Sequence, residues 1–507
     1  MTDLFLTHQD ALAGLDPAFI KENPEFVEAY GNINLKDIGA LNTVLKSVDQ
    51  LLKKYATPND KIKNTVEIIF RQILSRYPLL FGYWKRFTAI EYQFHGLETS
   101  LKTLENATES FPHSVDLWCD YLKVLIVNYP KESELIKRKI DKAKELVGWQ
   151  FYSHPFWDLI LDYYLKTETD VIQLYHELIS IPLHQYAKYI TAFKKLLTER
   201  KLTEDIKKVD AMGKQNQIMV NQIWRFESLI KQNYFNLTPL PPSEVENWIN
   251  YTQFLTKTYC DKPQLIRSVF QRSLIPCCFV EKIWVRYLTW NQSIDTTKDL
   301  SKLDDLIQLY EKGCRTLPKT THEFRWMFID RLEKSYASNE KAGKVLIFTS
   351  FCKCIKNMIE IWPYRQDQIK SMETYLRMLK ISKYYSSLDT PSKQLISQQT
   401  TYSKYLETCI NNFISDRVDH SIVLEDLINE RNLAVVVVEL IRTTWLVLKK
   451  TLQTRKYFNH FSKHPSLRTS VDFWAIYYNF EKSTKNFVRL NSFVSGLGTD
   501  LLLPTSF

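Results

Sequence analysis

The chain has 507 residues, of which 45% are hydrophobic and 24% charged, and this composition excludes a disordered protein. A chain of this length is too long to form one ordinary hydrophobic core. Only 11 glycines accompany 28 tyrosines, 28 phenylalanines and 12 tryptophans, which argues against the glycine-rich phosphate loops of nucleotide-binding α/β enzymes. The net charge of +10 suits a phosphate-bearing or acidic partner, or equally a slightly basic solvated surface.

The first 60 residues contain the stretch "LAGLDPAFIKENPEFVEAY" but no clear repeat. Terminal units of a repeat array need an atypical, more polar outer face. We therefore predict that residues 1–60 form a helical cap in front of an array that begins at residue 61.

Tryptophans with an aromatic residue three positions later recur along the rest of the chain, so that both rings lie on one helix face. Successive tryptophans at 84, 118 and 157 are 34 and 39 residues apart, a period typical of stacked helix pairs. Glu91 lies two turns after Trp84 on the same face. The predicted repeat-core residues are Trp84, Phe87, Glu91, Trp118, Tyr121, Trp157, Trp248, Tyr251, Trp284, Tyr287, Trp474 and Tyr477.

Amphipathic stretches that end in proline follow the clearer tryptophan helices, and each is predicted to be the second helix of a pair. These prolines are Pro112, Pro182, Pro276 and Pro318. The aromatic residues would also suit a stacking platform for RNA bases, but their regular placement favours packing in a core. The chain is therefore predicted to be an all-α solenoid of helix-pair repeats.

A proline-rich stretch, "TPLPP", separates two arrays in this reading. We predict an N-terminal array over 61–235, a hinge over 236–247 and a C-terminal array with a dimerisation region over 248–507. Between about 340 and 400 the repeat pattern is weak, and helices are not placed there.

The sequence shows no pattern typical of a catalytic, cofactor-binding or metal site. His460 and His464 are one helical turn apart, but no third ligand accompanies them. Asp304 and Asp305 resemble part of the aspartate-rich motif of all-helical prenyl-chain enzymes, without its remaining aspartate. The apolar run 433–448 is interrupted by two charges and is too short to span a membrane. No enzyme, cofactor, metal or membrane association is predicted.

A basic cluster on a predicted second helix is the main charged feature. It could contact an RNA phosphate backbone or an acidic partner, and the alternative is a solvated helix face. Its residues are Lys137, Arg138, Lys139, Lys142 and Lys144.

The repeats resemble half-a-TPR (HAT) repeats, in which a first helix with Trp-x-x-Tyr and a later Glu precedes a second helix that ends before proline. "VFQRSLIP" and "LYEKGCRTLP" match that second helix loosely. The blocks "LFGYWKRFTAIEYQ", "DLWCDYL", "SHPFWDLILDY", "PLHQYAKYITAFKK" and "VVVVELIRTTWLVLKK" together resemble the fungal pre-mRNA-processing factor thirty-nine family. The resemblance runs from about residue 11 to residue 504. Family members usually continue further, so we expect a C-terminal extension to be missing.

This resemblance implies a nuclear, non-catalytic scaffold of the U1 snRNP that supports 5′ splice-site engagement and early spliceosome assembly through protein–protein contacts. It also implies pairing through the C-terminal array, with a related HAT-repeat protein or with a second copy. The unusually apolar segment after residue 431 is our candidate interface, although its own array could equally enclose it. The predicted interface residues are Val437, Leu440, Trp445, Leu446, Tyr457 and Phe458.

Two other functions stay open on the sequence. One is a HAT-repeat scaffold in another RNA-processing complex, such as the one for mRNA 3′-end cleavage. The other is a helical-repeat protein that binds RNA directly, although its regular positions hold bulky aromatic side chains where such proteins need polar ones.

Overall fold

A computed structural model describes residues 15–31, 33–34, 37–167, 170–294, 300–384 and 392–496 of the chain. The regular secondary structure in these ranges consists of 26 α-helices and two π-helical turns. The predicted all-α fold is confirmed. The first 14 residues of the predicted cap and the last 11 residues of the C-terminal array lie outside the described ranges.

Contacts divide the chain after residue 290, within helix α15, into two units. The helices of the first unit follow one another at short intervals. They are α1 (Pro17–Glu22), α2 (Pro24–Gly31), α3 (Ile38–Lys54), α4 (Asp60–Arg76), α5 (Phe81–His95), α6 (Leu97–Ser110), α7 (Val115–Asn128), α8 (Ser133–Val147), α9 (His154–Lys166), α10 (Ile172–Leu178), α11 (Tyr186–Glu199), α12 (Thr203–Glu227), α13 (Pro242–Thr258), α14 (Pro263–Ser273) and α15 (Glu281–Ile294).

The second unit contains the helices after residue 291 and both π-helical turns, which are Lys380–Tyr384 and Thr443–Val447. Its helices are α16 (Leu300–Thr316), α17 (Glu323–Ser338), α18 (Lys341–Ile361), α19 (Arg365–Leu379), α20 (Ser392–Ile414), α21 (Val423–Leu427), α22 (Leu433–Arg442), α23 (Thr451–Phe461), α24 (Pro465–Arg468), α25 (Val471–Ser483) and α26 (Phe487–Gly496). Helices α18 and α19 fill much of the region in which the sequence pattern was weak.

Local sequence explains where several helices begin and end. Asn59, Ser114 and Ser470 cap α4, α7 and α25, since each side chain accepts a hydrogen bond from a backbone N–H of the first turn. Gly96 alone joins α5 to α6, and its φ of 84° is a conformation that favours glycine. Short connections of this kind keep each helix beside the next one in the chain.

Neighbouring helices pack in the order expected of a repeat array. In the first unit α5 packs on α6, α6 on α7, and α7 on both α8 and α9. In the second unit α17 packs on α18, α18 on α19, and α22 on α19, α20 and α25. Each repeat therefore buries its apolar face against its neighbours, and this packing stabilises a helix-repeat protein.

The predicted proline-rich hinge, residues 236–247, lies inside the first unit. Beside it, the buried ring of Phe235 lies 5.9 Å from the ring of Tyr77 and 5.8 Å from that of Phe279. The start of the segment is therefore anchored on the turns that follow α4 and α14. The predicted boundaries of the cap, the arrays and the hinge stay predictions.

None of the described helices combines the length and the apolar composition that a membrane-spanning helix needs.

Candidate interaction surfaces

Five of the six predicted first-helix tryptophans anchor the turn that precedes their helix, and the exception is Trp248, whose buried indole N–H has no partner. The indole N–H of Trp84 donates to the carbonyl of Pro78 at 3.0 Å, and that of Trp118 donates to Pro112 at 2.8 Å. Each ring thus fills the core while its one polar atom is satisfied in the turn. The same bond joins Trp284 to Cys278 at 2.8 Å, Trp474 to Arg468 at 3.0 Å and, across a longer spacing, Trp157 to Gly148 at 2.9 Å.

The predicted repeat-core residues lie inside the two units, and only Trp474 is partly exposed. Buried rings cannot stack on nucleic-acid bases, so these side chains do not form an RNA-binding platform. The buried members are Trp84, Phe87, Glu91, Trp118, Tyr121, Trp157, Trp248, Tyr251, Trp284, Tyr287 and Tyr477.

The repeat that begins with α17 has an arginine in place of the tryptophan anchor. Phe324 stands six residues after Pro318, at the tryptophan position, but has no N–H to donate. The buried guanidinium of Arg325 donates instead to the Pro318 carbonyl at 3.2 Å and to the Thr321 carbonyl at 2.7 Å. Gly313 makes room for this arrangement, because a Cβ there would overlap the ring of Phe324. The sequence prediction missed Arg325, although the upstream proline marks the position.

A buried ion pair holds α12, α13 and α14 together. The Arg272 guanidinium donates to both carboxylate oxygens of Glu227, at 2.7 and 2.6 Å, and the Tyr251 hydroxyl donates to Glu227 at 2.9 Å. Burial alone would lower the pKa of Arg272, but the Glu227 carboxylate outweighs it and raises that pKa. Arg272 also lies 5.1 Å from the ring centre of Trp248. Both charges are compensated, so the cluster fixes the mutual position of three consecutive helices.

Most of the predicted pairing segment is enclosed by its own unit. Val437 and Leu440 are fully buried because α19, α20 and α25 cover α22. On α23, Phe458 is fully buried and Tyr457 is 7% exposed. The ring of Phe458 stacks on Tyr477 at 4.1 Å. In this structure these four side chains therefore belong to the core of the second unit.

The exposed aliphatic side chains of this region lie in the connection between α22 and α23 and in the first turn of α23. Leu446 is 52% exposed, Val447 47% and Leu452 77%. Trp445 is partly buried, with its ring edge-on to Phe480 at 5.4 Å. Three neighbouring exposed aliphatic side chains next to an anchored tryptophan form a small apolar patch, called here the 446–452 patch.

The predicted basic cluster on α8 is divided between packing and solvent. Lys139 pairs with Glu105 on α6 at 2.5 Å, and Lys144 pairs with Glu177 on α10 at 2.5 Å. These two lysines therefore link neighbouring second helices. The other three side chains of the cluster, also on α8, are exposed to solvent. They are Lys137, Arg138 and Lys142.

Two buried glutamates at the same repeat position have different surroundings. Glu481 lies seven residues after Trp474 and accepts hydrogen bonds from Arg455 at 3.0 Å and Arg489 at 3.3 Å. Glu91 lies seven residues after its own tryptophan, but neither of its carboxylate oxygens has a hydrogen-bond partner. Burial raises the pKa of Glu91, and the negative charge of Glu67 raises it further.

Comparison with known proteins agrees with this architecture. A family model described as "PRP39 N-terminal HAT repeat" matches residues 30–195, and one described as "PRP39 C-terminal HAT repeat" matches residues 221–371. The chain is 42% identical to "Pre-mRNA-processing factor 39" of Saccharomyces cerevisiae over 501 residues, which are 98% of this chain and 77% of that protein. The chain belongs to the pre-mRNA-processing factor 39 family.

The pre-mRNA-processing factor 39 family consists of HAT-repeat splicing factors and is not an enzyme family. The two HAT-repeat matches confirm the predicted HAT-repeat solenoid. A second member, from Schizosaccharomyces pombe, is 28% identical over 49% of this chain and 47% of its own length. The "U1 small nuclear ribonucleoprotein component PRP42" of S. cerevisiae is 23% identical over 62% of this chain and 67% of its own length. The two family-model matches are separated by residues 196–220, upstream of the predicted hinge.

Proposed function

We propose that the chain is a non-catalytic scaffold subunit of the U1 snRNP in the nucleus. It supports engagement of the 5′ splice site and early spliceosome assembly through protein–protein contacts of its HAT repeats. One observation carries this proposal: the similarity to pre-mRNA-processing factor 39 of S. cerevisiae covers 98% of the chain. The similarity to a protein named as a U1 snRNP component adds support.

The internal use of the aromatic residues is consistent with a scaffold. Because the repeat-core rings are buried, the array offers its helix surfaces and turns to partners rather than a stacking groove for bases. Helix-repeat arrays present extended surfaces that suit segments of other proteins.

The proposal is tested by purifying a tagged copy of the chain from nuclei of its own organism. We expect U1 snRNA and U1 proteins to co-purify, measured by reverse transcription and mass spectrometry, with an untagged strain as control. Enrichment of the 3′-end cleavage machinery without U1 snRNA would replace this function with the alternative scaffold.

We propose further that the chain pairs through the second unit, with a second copy or with a related HAT-repeat protein. The 446–452 patch supports this, because it contains Leu446, the exposed member of the predicted interface residues, together with two further exposed aliphatic side chains. A stable pair needs about 2,000 Å² of buried surface, so the patch would be the apolar centre of a larger contact.

The exposed cations of α8 are proposed to contact RNA phosphates or an acidic partner. We expect Arg138→Glu with Lys142→Glu to weaken binding of U1 snRNA and to reduce its salt dependence, in filter binding at two salt concentrations. The matched control is Lys102→Glu with Lys123→Glu, which reverses two other lysines of the same unit. Equal loss in both double variants would mean that only the net charge matters.

A further inference from the structure

Glu91 differs from the other buried glutamates of the described residues in its hydrogen bonding. Every other one accepts at least one hydrogen bond, whereas both oxygens of Glu91 have none although the residue is 1% exposed. A buried carboxylate without a partner is costly, so this position calls for a cation or a proton. The partnered residues are Glu227 with Arg272, Glu244 with the backbone N–H of Lys231, Glu425 with Asn412 and Glu481 with Arg455.

The side chains around Glu91 are of types that can bind a metal ion, and none of them donates a hydrogen bond to its carboxylate. His95 lies one turn later on α5, and Glu67 reaches the same point from α4. The His95 Nε2 lies 2.7 Å from a Glu67 carboxylate oxygen, and one ligand atom from each of the three residues lies within 4.8 Å of the others. The nearest guanidinium, that of Arg71, is 3.8 Å from Glu91 and does not hydrogen-bond to it.

We propose that Glu67, Glu91 and His95 bind a divalent transition-metal ion of the zinc type, which links α4 to α5. Imidazole nitrogen and carboxylate oxygen are both zinc ligands in proteins, and three protein ligands leave the fourth tetrahedral position to water. The Glu91 and His95 pair has the i, i+4 spacing that places two ligands on one helix face. Ligand atoms around tetrahedral zinc lie roughly 3.3 Å apart, so modest side-chain rotations close the site.

The positively charged Arg71 side chain would compete with the metal ion for the carboxylates. Its guanidinium lies 2.9 Å from Glu67, so it neutralises part of the site's negative charge. Its side chain is 65% exposed, so it can swing into solvent when the ion enters. His95 is 38% exposed and gives the ion access from solvent. Removal of the Arg71 charge should therefore strengthen metal binding. If Arg71 and the carboxylates formed only a structural ion pair, its removal would have no such effect.

The test is zinc titration of the chelator-treated full chain by calorimetry, with cobalt absorption as a second probe of the site. We expect one equivalent of zinc per chain and a rise in the thermal midpoint on binding. Glu91→Gln and His95→Gln should each weaken binding at least about tenfold, and Arg71→Met should tighten it. Circular dichroism of each metal-free variant shows whether it folds.

Two matched controls separate this site from adventitious binding. Glu98→Gln removes one exposed carboxylate close to the site, and His460→Gln disrupts the His460–His464 pair. Neither should change the zinc affinity. The proposal is overturned if the wild-type chain binds no zinc, if folded Glu91→Gln and His95→Gln bind as wild type does, or if His460→Gln alone removes binding.

Discussion

At the scale of single residues, the tryptophan anchors explain why this chain repeats one aromatic residue at one helical position. A phenylalanine is smaller and has no N–H, whereas the indole N–H satisfies the carbonyl of the preceding turn. Arg325 supports this explanation, because it supplies donors to Pro318 in the repeat that has Phe324 at the tryptophan position. The feature that recurs in most of these repeats is thus a hydrogen bond to the turn as much as a ring in the core.

Replacement of Trp118 by phenylalanine removes this bond and keeps an aromatic ring in the core. The carbonyl of Pro112 loses its donor and the smaller ring fills less of the core, so we expect a loss of about 1–3 kcal/mol. Trp118→Ala should cost about 3–5 kcal/mol because it also leaves a cavity. Urea unfolding followed by circular dichroism measures both variants. A phenylalanine variant as stable as wild type would show that the bond to the turn contributes nothing.

Glu481 gives a stability effect that depends on pH. Burial alone would raise its pKa, but the Arg455 and Arg489 guanidinium groups outweigh burial and lower the pKa below its ordinary value of 4.5. The ionised form is therefore favoured in the folded state, and its contribution is present above pH 4.5 and lost as the pH falls through the folded pKa. We expect Glu481→Gln to cost about 2 kcal/mol at pH 7.

The difference between Glu481→Gln and wild type should shrink as the pH falls below about 4.5, since only the wild-type residue then becomes protonated. Unfolding curves at pH 7, 5 and 4 measure this trend. A difference that is the same at all three values would mean that the carboxylate charge is not what stabilises this helix pair.

At the scale of helices, the Glu227–Arg272 pair allows the stability after removal of one charge to be compared with the stability after removal of both. Arg272→Met leaves Glu227 buried without its cation, so we expect a loss of about 3–5 kcal/mol. Glu227→Gln with Arg272→Met removes both charges and keeps an acceptor for Tyr251, so the double variant should recover most of that loss.

Urea unfolding gives the stability of both variants, and hydrogen exchange should place the loss in α12 and α14. Arg200→Met is the matched control, because its partner Asp170 is exposed and such surface pairs contribute about 1 kcal/mol or less. A double variant as unstable as Arg272→Met would show that packing of the arginine, and not its charge, holds these helices.

The helices of the array were predictable because their signals are local. The spacing from Trp84 to Phe87 and the proline at 112 mark a helix and its end within one short window. The meeting of Glu67 with Glu91 was not predictable, because it depends on how α4 packs on α5. Similarly, the apolar excess around Val437 was interpreted as an interface, whereas α19, α20 and α25 cover α22 from several sides.

At the scale of the whole molecule, pairing depends on what each unit leaves exposed. Isolated exposed aliphatic side chains are normal, but the 446–452 patch holds three within seven residues. The flanking residues Arg442, Lys449 and Lys450 are exposed and charged, which gives the patch the polar rim that interfaces commonly have. This arrangement favours a contact with another protein over simple solvation.

Leu446→Asp with Leu452→Asp tests the pairing. Both side chains are more than half exposed, so the variant should keep its helicity and stability, whereas Trp445→Asp would also disturb the contact with Phe480. We expect the double variant to sediment as a monomer if the chain pairs with itself, and to lose a co-expressed HAT-repeat relative if it pairs with that protein. Charges placed at the apolar centre of an interface remain desolvated without partners, so the loss should exceed tenfold in affinity.

The matched control is Val127→Asp with Val345→Asp, which places the same charges on side chains that are 75% and 62% exposed elsewhere. This control should pair as wild type does, because it changes net charge equally without touching the patch. If the Leu446 and Leu452 variant pairs as tightly as the control, the patch is not the interface. Pairing would then have to use another surface, since Val437 and Leu440 are enclosed in the core of their own unit.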